Sequence, residues 1–124
     1  MRYFSVGIGG IIGSLFRYGL GVALFSEEAI FPTATLCANW IGCMVLGWLN
    51  THTPRSSLIQ DGIGTGLIGS FTTFSTFSVE TLALFQHGHW ISAWTYILTS
   101  LVGGLLLVHV GSRLARLQKE ETEC

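Results

Sequence analysis

A run of phenylalanine, threonine and serine residues carries the chemistry of this chain. It reads Gly69-Ser70-Phe71-Thr72-Thr73-Phe74-Ser75-Thr76-Phe77-Ser78-Val79-Glu80. An aromatic ring has a negative face and a positive edge, so a small anion can rest against ring edges. Hydroxyl and amide groups can donate the remaining hydrogen bonds, and such weak ligands release the ion again, as conduction requires. The run indicates an anion path, although phenylalanines at three-residue spacing, on or near one helix face, more often reflect packing.

Three other polar residues in apolar stretches each admit two interpretations. Arg17 shares a helix face with Gly9 and Gly13. Its charged side chain either snorkels to a membrane interface or lines a wet vestibule that attracts anions. The spacing of Asn39 favours a role in hydrogen bonding between helices, but its amide is also a neutral group that could donate a hydrogen bond to an anion. Glu80 suggests proton coupling or a structural hydrogen bond to hydroxyl groups.

The last apolar stretch adds a further set of small and polar residues. Tyr96, Ser100 and Gly104 lie at four-residue spacing and could form a polar track along one helix face. A glycine pair such as Gly103-Gly104 is more often a packing notch between helices. The spacing alone leaves both meanings open.

The small number of charged residues indicates which kind of structural element positions these residues. The chain has 124 residues, of which 49% are hydrophobic and 10% are charged, whereas a soluble domain carries roughly 25% charged residues. A soluble fold of this length could not cover its surface with so few polar side chains, so the composition predicts a membrane protein. The formal net charge of −1 indicates no nucleic-acid partner.

Four apolar stretches predict an all-α membrane protein that forms one domain over residues 1–124. The predicted spans are about 3–25, 33–50, 61–86 and 90–111, followed by a charged tail, interpreted as a frayed helix, over 112–124. Each has about the 20 residues that a helix needs to cross a bilayer. The third should be broken, because its hydroxyl side chains compete for backbone hydrogen bonds. The first begins with almost no basic leader and is too long for a signal-peptide core, so no cleavable signal is expected.

The basic residues outside the spans predict the orientation of the chain. With four spans, Arg2, Arg55, Arg113, Arg116 and Lys119 all fall on one side of the membrane. The other side carries acidic residues and histidines, namely Glu27, Glu28, His87 and His89. The positive-inside rule then predicts that both termini are cytoplasmic.

The chain resembles the Fluc family of bacterial fluoride channels. The resemblance rests on Gly10 to Gly13 with Arg17-Tyr18, on Asn39 with Gly42, and on the run from Gly69 to Glu80. It covers nearly the whole chain, and its most specific part is Thr72 to Ser78. It implies a multi-pass protein of the cell inner (cytoplasmic) membrane that exports fluoride passively and is not an enzyme.

The resemblance also implies roles for single residues. Phe74 and Phe77 would turn their ring edges to fluoride, Asn39 would lie beside the path, and Arg17 would lie near the vestibule. Glu80 would be a pore-side carboxylate. The further pore-lining candidates are Ser75, Ser78, Tyr96 and Ser100. The backbone carbonyls of Gly69 and Thr72 from each of two subunits would bind a central structural Na⁺.

The resemblance implies an antiparallel dimer with two pores at the subunit interface. A homodimer of this kind needs a chain that inserts in both orientations, whereas the basic bias here favours one orientation. Either the partner is a homologous subunit inserted the other way, or Glu120, Glu121 and Glu123 weaken the effect of the charges in the tail.

Two other functions are open to a small membrane protein. Proton-coupled exporters of similar length have their working carboxylate in the first span, where this chain has Arg17. A membrane enzyme or haem-bearing subunit would use His52, His87, His89 and His109, yet of these only His109 lies within a predicted span. Cys37 and Cys43, six residues apart in one span, are interpreted as packing residues and not as a disulfide or metal site.

Overall fold

All regular structure in the described part of the chain is helical. The computed structural model describes residues 1–52 and 58–123, so Arg55 and Cys124 lie outside the described residues. The elements are α1 (Arg2–Ala23), α2 (Thr33–His52), a π-helix (Gln60–Ile68), the single turn α3 (Gly69–Phe71), α4 (Phe74–Gln86) and α5 (Trp90–Glu123). The π-helix leads directly into α3, and α4 follows after two residues.

The last helix extends well beyond the predicted fourth span. Residues 112–123, predicted as a frayed tail, continue α5 without interruption. The reason is packing, because Ala115 is fully buried and the Ser112 hydroxyl donates a hydrogen bond to the Gly47 carbonyl of α2 at 3.1 Å. At the other boundaries, α1 ends at Ala23, two residues earlier than predicted, and α2 continues to His52.

Contacts between helices give an up-and-down arrangement of four segments. The α2 and α5 helices run in the same direction, since Trp40 donates to the Thr99 carbonyl and Trp48 donates to Gln118. The third segment, which comprises the π-helix, α3 and α4, runs antiparallel to α2. Here a Cβ on Gly64 would contact Leu49, near the end of α2, whereas the helix break described below faces its middle.

One end of the bundle holds most of the described basic residues. Arg2 forms an ion pair with Asp61 at the start of the π-helix, with Nε and Oδ2 3.4 Å apart. The C-terminal half of α5, with Arg113, Arg116 and Lys119, lies at the same end. The described basic residues outside the predicted spans therefore cluster as the sequence analysis expected.

Many large apolar side chains face outward, and glycines are buried at close contacts between helices, which is unlike a soluble bundle. Ile11, Leu15 and Leu105 are each exposed by more than 60%. By contrast, Gly9 and Gly13 of α1 are buried against the π-helix, where a Cβ on either would overlap backbone atoms of Gly62 or Leu67. Such close approach of backbones holds helices together in lipid, where apolar burial between helices gains little.

Two of the described helices are long and apolar enough to cross a membrane. They are α1 and the greater part of α5, over Trp90–Thr122. Together with the outward-facing apolar side chains, they agree with the membrane class that the composition predicted.

Candidate functional site

The helical backbone is interrupted between α3 and α4 at two threonines. Thr72 has φ −78° and ψ 153°, and Thr73 has φ −149° and ψ 120°, so both are extended. The Thr72 hydroxyl donates to the Ile68 carbonyl at 2.9 Å, and the Thr72 amide donates to the same oxygen. Hydroxyl side chains that bond to nearby backbone groups in this way compete with helix continuation.

Asn39 of α2 satisfies the extended backbone at Thr73. The Thr73 amide donates to Asn39 Oδ1 at 2.8 Å, and Asn39 Nδ2 donates to the Thr73 carbonyl at 3.1 Å. This paired arrangement agrees with the interhelical role that the spacing of Asn39 favoured. Since an amide nitrogen carries two hydrogens, one N–H of Asn39 has no acceptor among the residues that the structure describes.

Thr73 also starts the next helix. Its hydroxyl oxygen accepts a hydrogen bond from the Thr76 amide at 3.2 Å, which is the usual role of an N-cap threonine. The Ser75 and Thr76 hydroxyls lie 3.2 Å and 3.0 Å from the same oxygen. The break therefore supplies its own helix start, and its hydroxyl groups form one local network.

The break separates Phe71 from the other two phenylalanines. Phe71 lines an apolar groove with Leu15, Phe16 and other residues of α1 and α2. Phe74 and Phe77 lie on α4, with ring centroids 5.9 Å apart and ring planes at 36°. The expectation that all three phenylalanines share one face is wrong, because helical periodicity does not continue through the extended residues.

Phe74 and Phe77 line a cavity of about 460 Å³ between α2, α4 and α5, called here the phenylalanine cavity. Its polar lining residues are Asn39, Thr72, Thr73 and Ser100. The Ser100 hydroxyl oxygen is buried and has no hydrogen-bond partner within the part of the chain that the structure describes. Phe74 is 80% exposed, so the cavity opens to the outside of the single chain.

Glu80 lies one turn further along α4, away from the phenylalanine cavity. Its Oε1 accepts a hydrogen bond from the Thr35 hydroxyl at 2.8 Å, and its Oε2 accepts one from the Tyr96 hydroxyl at 2.8 Å. Tyr96 is fully buried and packs against the Phe77 ring at a centroid distance of 5.0 Å. Tyr96 therefore lies behind Phe77 and connects it to Glu80.

Arg17 and Glu80 line a second cavity of about 620 Å³, called here the vestibule. Thr73 lines both the vestibule and the phenylalanine cavity, and Thr35 and Thr76 add hydroxyl groups to the vestibule wall. The vestibule is the more polar of the two spaces, and its wall holds the half-buried Arg17 guanidinium and the Glu80 carboxyl group.

The remaining site candidates are spread over two places. Ser75 and Ser78 are on the exposed side of α4, and the Ser78 hydroxyl donates to the Phe74 carbonyl at 2.9 Å. Gly69 lies just before the break. In an unbroken helix the Thr73 amide would donate to the Gly69 carbonyl, four residues earlier. Here the Thr73 amide donates to Asn39 instead.

Sequence reasoning missed Thr35, Thr73 and Thr76 as site residues. A signal for Thr35 was present, since Thr35, Asn39 and Gly42 recur at helical spacing on one face of α2. Thr73 and Thr76 belonged to the hydroxyl-rich run, but only the break position shows which hydroxyl groups face the vestibule.

Comparison with known proteins gives a consistent result. The family model described as "CrcB-like protein, Camphor Resistance (CrcB)" matches residues 4–112. A Bacillus cereus protein named "Fluoride-specific ion channel FluC 1" is 48% identical over 118 residues, covering 90% of this chain and 81% of the relative. The Oceanobacillus iheyensis "Fluoride-specific ion channel FluC" is 46% identical over 120 residues, covering 94% and 92%. A "Fluoride-specific ion channel FluC 1" of Desulfitobacterium hafniense is 43% identical over 110 residues, covering 86% and 96%.

Proposed function

The chain belongs to the CrcB family, and we propose that it is a fluoride-specific ion channel that lets fluoride leave the cytoplasm passively. The observation that carries the proposal is the phenylalanine cavity beside the helix break, which is lined by the rings of Phe74 and Phe77, by Asn39, and by Ser100, whose hydroxyl has no partner among the described residues. These groups are neutral, and none of them holds a small anion as tightly as a ring of lysines would.

In the proposed mechanism, protein groups replace the water ligands of fluoride one at a time. The vestibule, with Arg17 in its wall, concentrates the anion. The free N–H of Asn39 and the Ser100 hydroxyl then donate hydrogen bonds, while the ring edges of Phe74 and Phe77 supply positive partial charge. A passive path is sufficient for export, because hydrogen fluoride enters an acidified cell as a neutral molecule and ionises inside.

The first experiment is a flux measurement on purified protein in liposomes. We expect fast fluoride efflux by ion-selective electrode and negligible chloride efflux from the same vesicles. Equal efflux of both anions would contradict the selectivity, and no fluoride efflux from well-inserted protein would contradict the channel itself. Flux that returns only when a homologous partner is added would support a channel made of two different subunits.

We further propose that the third segment is a broken membrane span at the centre of an antiparallel dimer. The extended backbone at Thr72 and Thr73 supports the break. The exposure of Phe74 supports a partner, because a second subunit would close the phenylalanine cavity on its open side. The dimer consists of two copies of this chain or of this chain and a homologous subunit.

The dimer proposal predicts a specific labelling pattern. In a homodimer, cysteines introduced at the N-terminus should react with impermeant reagents from both sides of the membrane in equal amounts. Labelling from one side only, together with a monomeric mass in detergent, would contradict it. For a heterodimer we expect one-sided labelling with both termini cytoplasmic, as the basic cluster at that end favours.

We also propose a structural Na⁺ bound by the carbonyls of Gly69 and Thr72 from each subunit. The position of Gly69 and Thr72 at the break supports this, since the Thr73 amide bonds to Asn39 and not to the Gly69 carbonyl, and carbonyl oxygens at a break in a membrane helix suit an alkali cation. The ion would fix the two breaks against each other and would leave the fluoride path to the side chains.

Removal of sodium tests the ion site. We expect protein purified and dialysed in N-methylglucamine salts to lose most of its fluoride flux, about tenfold or more, and to regain it when Na⁺ is added. Potassium at the same ionic strength is the control. Full activity without sodium, at a level of contamination below the protein concentration, would contradict the proposal.

The alternative functions receive no support from these comparisons. The matched relatives are named as ion channels, and the chain is a transport protein and not an enzyme. His52 stacks on Trp48 with ring centroids 4.6 Å apart, and the His87 ring nitrogen Nδ1 bonds to the Ala83 carbonyl. Neither arrangement resembles a pair of haem ligands at matching depth.

A further inference from the structure

A third cavity adjoins the vestibule at the end of the bundle opposite Arg2. It has a volume of about 490 Å³ and is called here the outer cavity. Glu27, His87 and His89 line it, and Ala29, Ile30, Pro32 and Glu80 line both it and the vestibule. Because the two spaces share these walls, an ion beside Glu80 is at the boundary between them.

The two histidines are held in place by the turn that ends α4. The His89 amide donates to the Leu84 carbonyl at 2.9 Å, and the Gly88 amide donates to the Phe85 carbonyl at 3.1 Å. Gly88 has φ +78°, the left-handed conformation that glycine adopts readily at the end of a helix. This turn therefore fixes the backbone of both histidines at the rim of the outer cavity.

The protonation pattern of His87 leaves one nitrogen available. Nδ1 lies 2.7 Å from the Ala83 carbonyl oxygen. A carbonyl only accepts, so Nδ1 carries the hydrogen and Nε2 can take up a second proton. Both histidines are exposed to solvent.

The charge of the outer cavity therefore depends on pH. Its titratable lining groups are Glu27 from the loop after α1, Glu80 from α4, and His87 and His89 from the turn before α5. With neutral imidazoles the carboxylates dominate and repel anions. Imidazole changes its charge between about pH 5 and pH 8, and two imidazolium groups would offset two carboxylates.

We propose that the outer cavity is the mouth through which fluoride passes between the vestibule and the solution, and that His87 and His89 set its electrostatic potential. This inference rests on the proposed channel function. The ligand class is a small hydrated monovalent anion, which the mouth attracts but does not bind at a fixed point. Arg17 acts on the same ion from the inner side of Glu80.

The size of the effect follows from Coulomb's law. A unit charge at about 7 Å in water changes the local concentration of a monovalent anion by about threefold. We therefore expect fluoride efflux to rise about three- to fivefold between about pH 8 and pH 6 at low ionic strength. The rise should vanish in about 1 M salt, where the screening length is about 3 Å.

The test is fluoride efflux from liposomes at equal pH on both sides, corrected for the leak of protein-free vesicles. In the double variant His87→Gln/His89→Gln the pH dependence should disappear, whereas Glu27→Gln should raise efflux about threefold at about pH 8. His52→Gln, at the opposite end, is the matched control and should keep the native pH dependence.

The outcomes separate this inference from the channel itself. Equal fluoride efflux through the native chain at both pH values would contradict the proposed role of the outer cavity but not the proposed channel function. A double variant that keeps the pH dependence, or a dependence that survives high salt, would also overturn it. If the native chain carries no fluoride at either pH, the proposed function fails, and the inference fails with it.

Discussion

Fluoride efflux should fall by about a hundredfold when either Phe74 or Phe77 is replaced by isoleucine, which corresponds to about 2.7 kcal/mol of lost stabilisation along the path. Isoleucine keeps the apolar bulk but has no ring edge, so it removes the positive partial charge that faces the anion. Both residues line the phenylalanine cavity, and Phe77 also packs on buried Tyr96. The measurement is fluoride efflux from liposomes with an ion-selective electrode.

Phe71→Ile is the matched control for this prediction. Phe71 belongs to the same sequence run but lies before the break, in the apolar groove formed with α1 and α2. We expect its variant to conduct at close to the native rate. Normal flux through both α4 variants, or equal loss in all three, would contradict the assignment of the path to Phe74 and Phe77.

Replacement of Asn39 by alanine should damage both stability and conduction. It leaves the amide and the carbonyl of Thr73 without partners, and each buried unsatisfied group costs about 1–3 kcal/mol. We expect the unfolding midpoint in detergent to fall clearly and fluoride flux to be lost. Asn50→Ala is the control, because Asn50 accepts its hydrogen bond from Gln60 at an exposed position.

A second variant separates the structural role of Asn39 from its role in conduction. Asn39→Asp keeps an acceptor for the Thr73 amide but places a negative charge beside the cavity. We expect it to unfold nearer to the native midpoint than Asn39→Ala, and to conduct little fluoride because the charge repels the anion. Stable Asn39→Ala protein with native flux would refute both roles.

The sequence alone determined the class of the protein and most of its elements. Scarcity of charge, four apolar stretches and the clustering of basic residues predict a helical membrane protein with its basic residues at one end. A membrane class follows from how few charged residues the chain has, and a span follows from the length of an apolar stretch, so composition and spacing along the chain reveal both directly. The specific run from Thr72 to Ser78 also pointed to the family, which the family model and the relatives confirm.

Only the tertiary structure decided which residues of that run lie together. Phe71 and Phe74 are three residues apart, yet they line different cavities, because two extended threonines change the direction of the side chains. Likewise, the long-range hydrogen bonds of Asn39 to Thr73, and of Thr35 and Tyr96 to Glu80, join residues from different helices. Helical periodicity describes neighbours within one helix, whereas these partners are chosen by how separate helices pack.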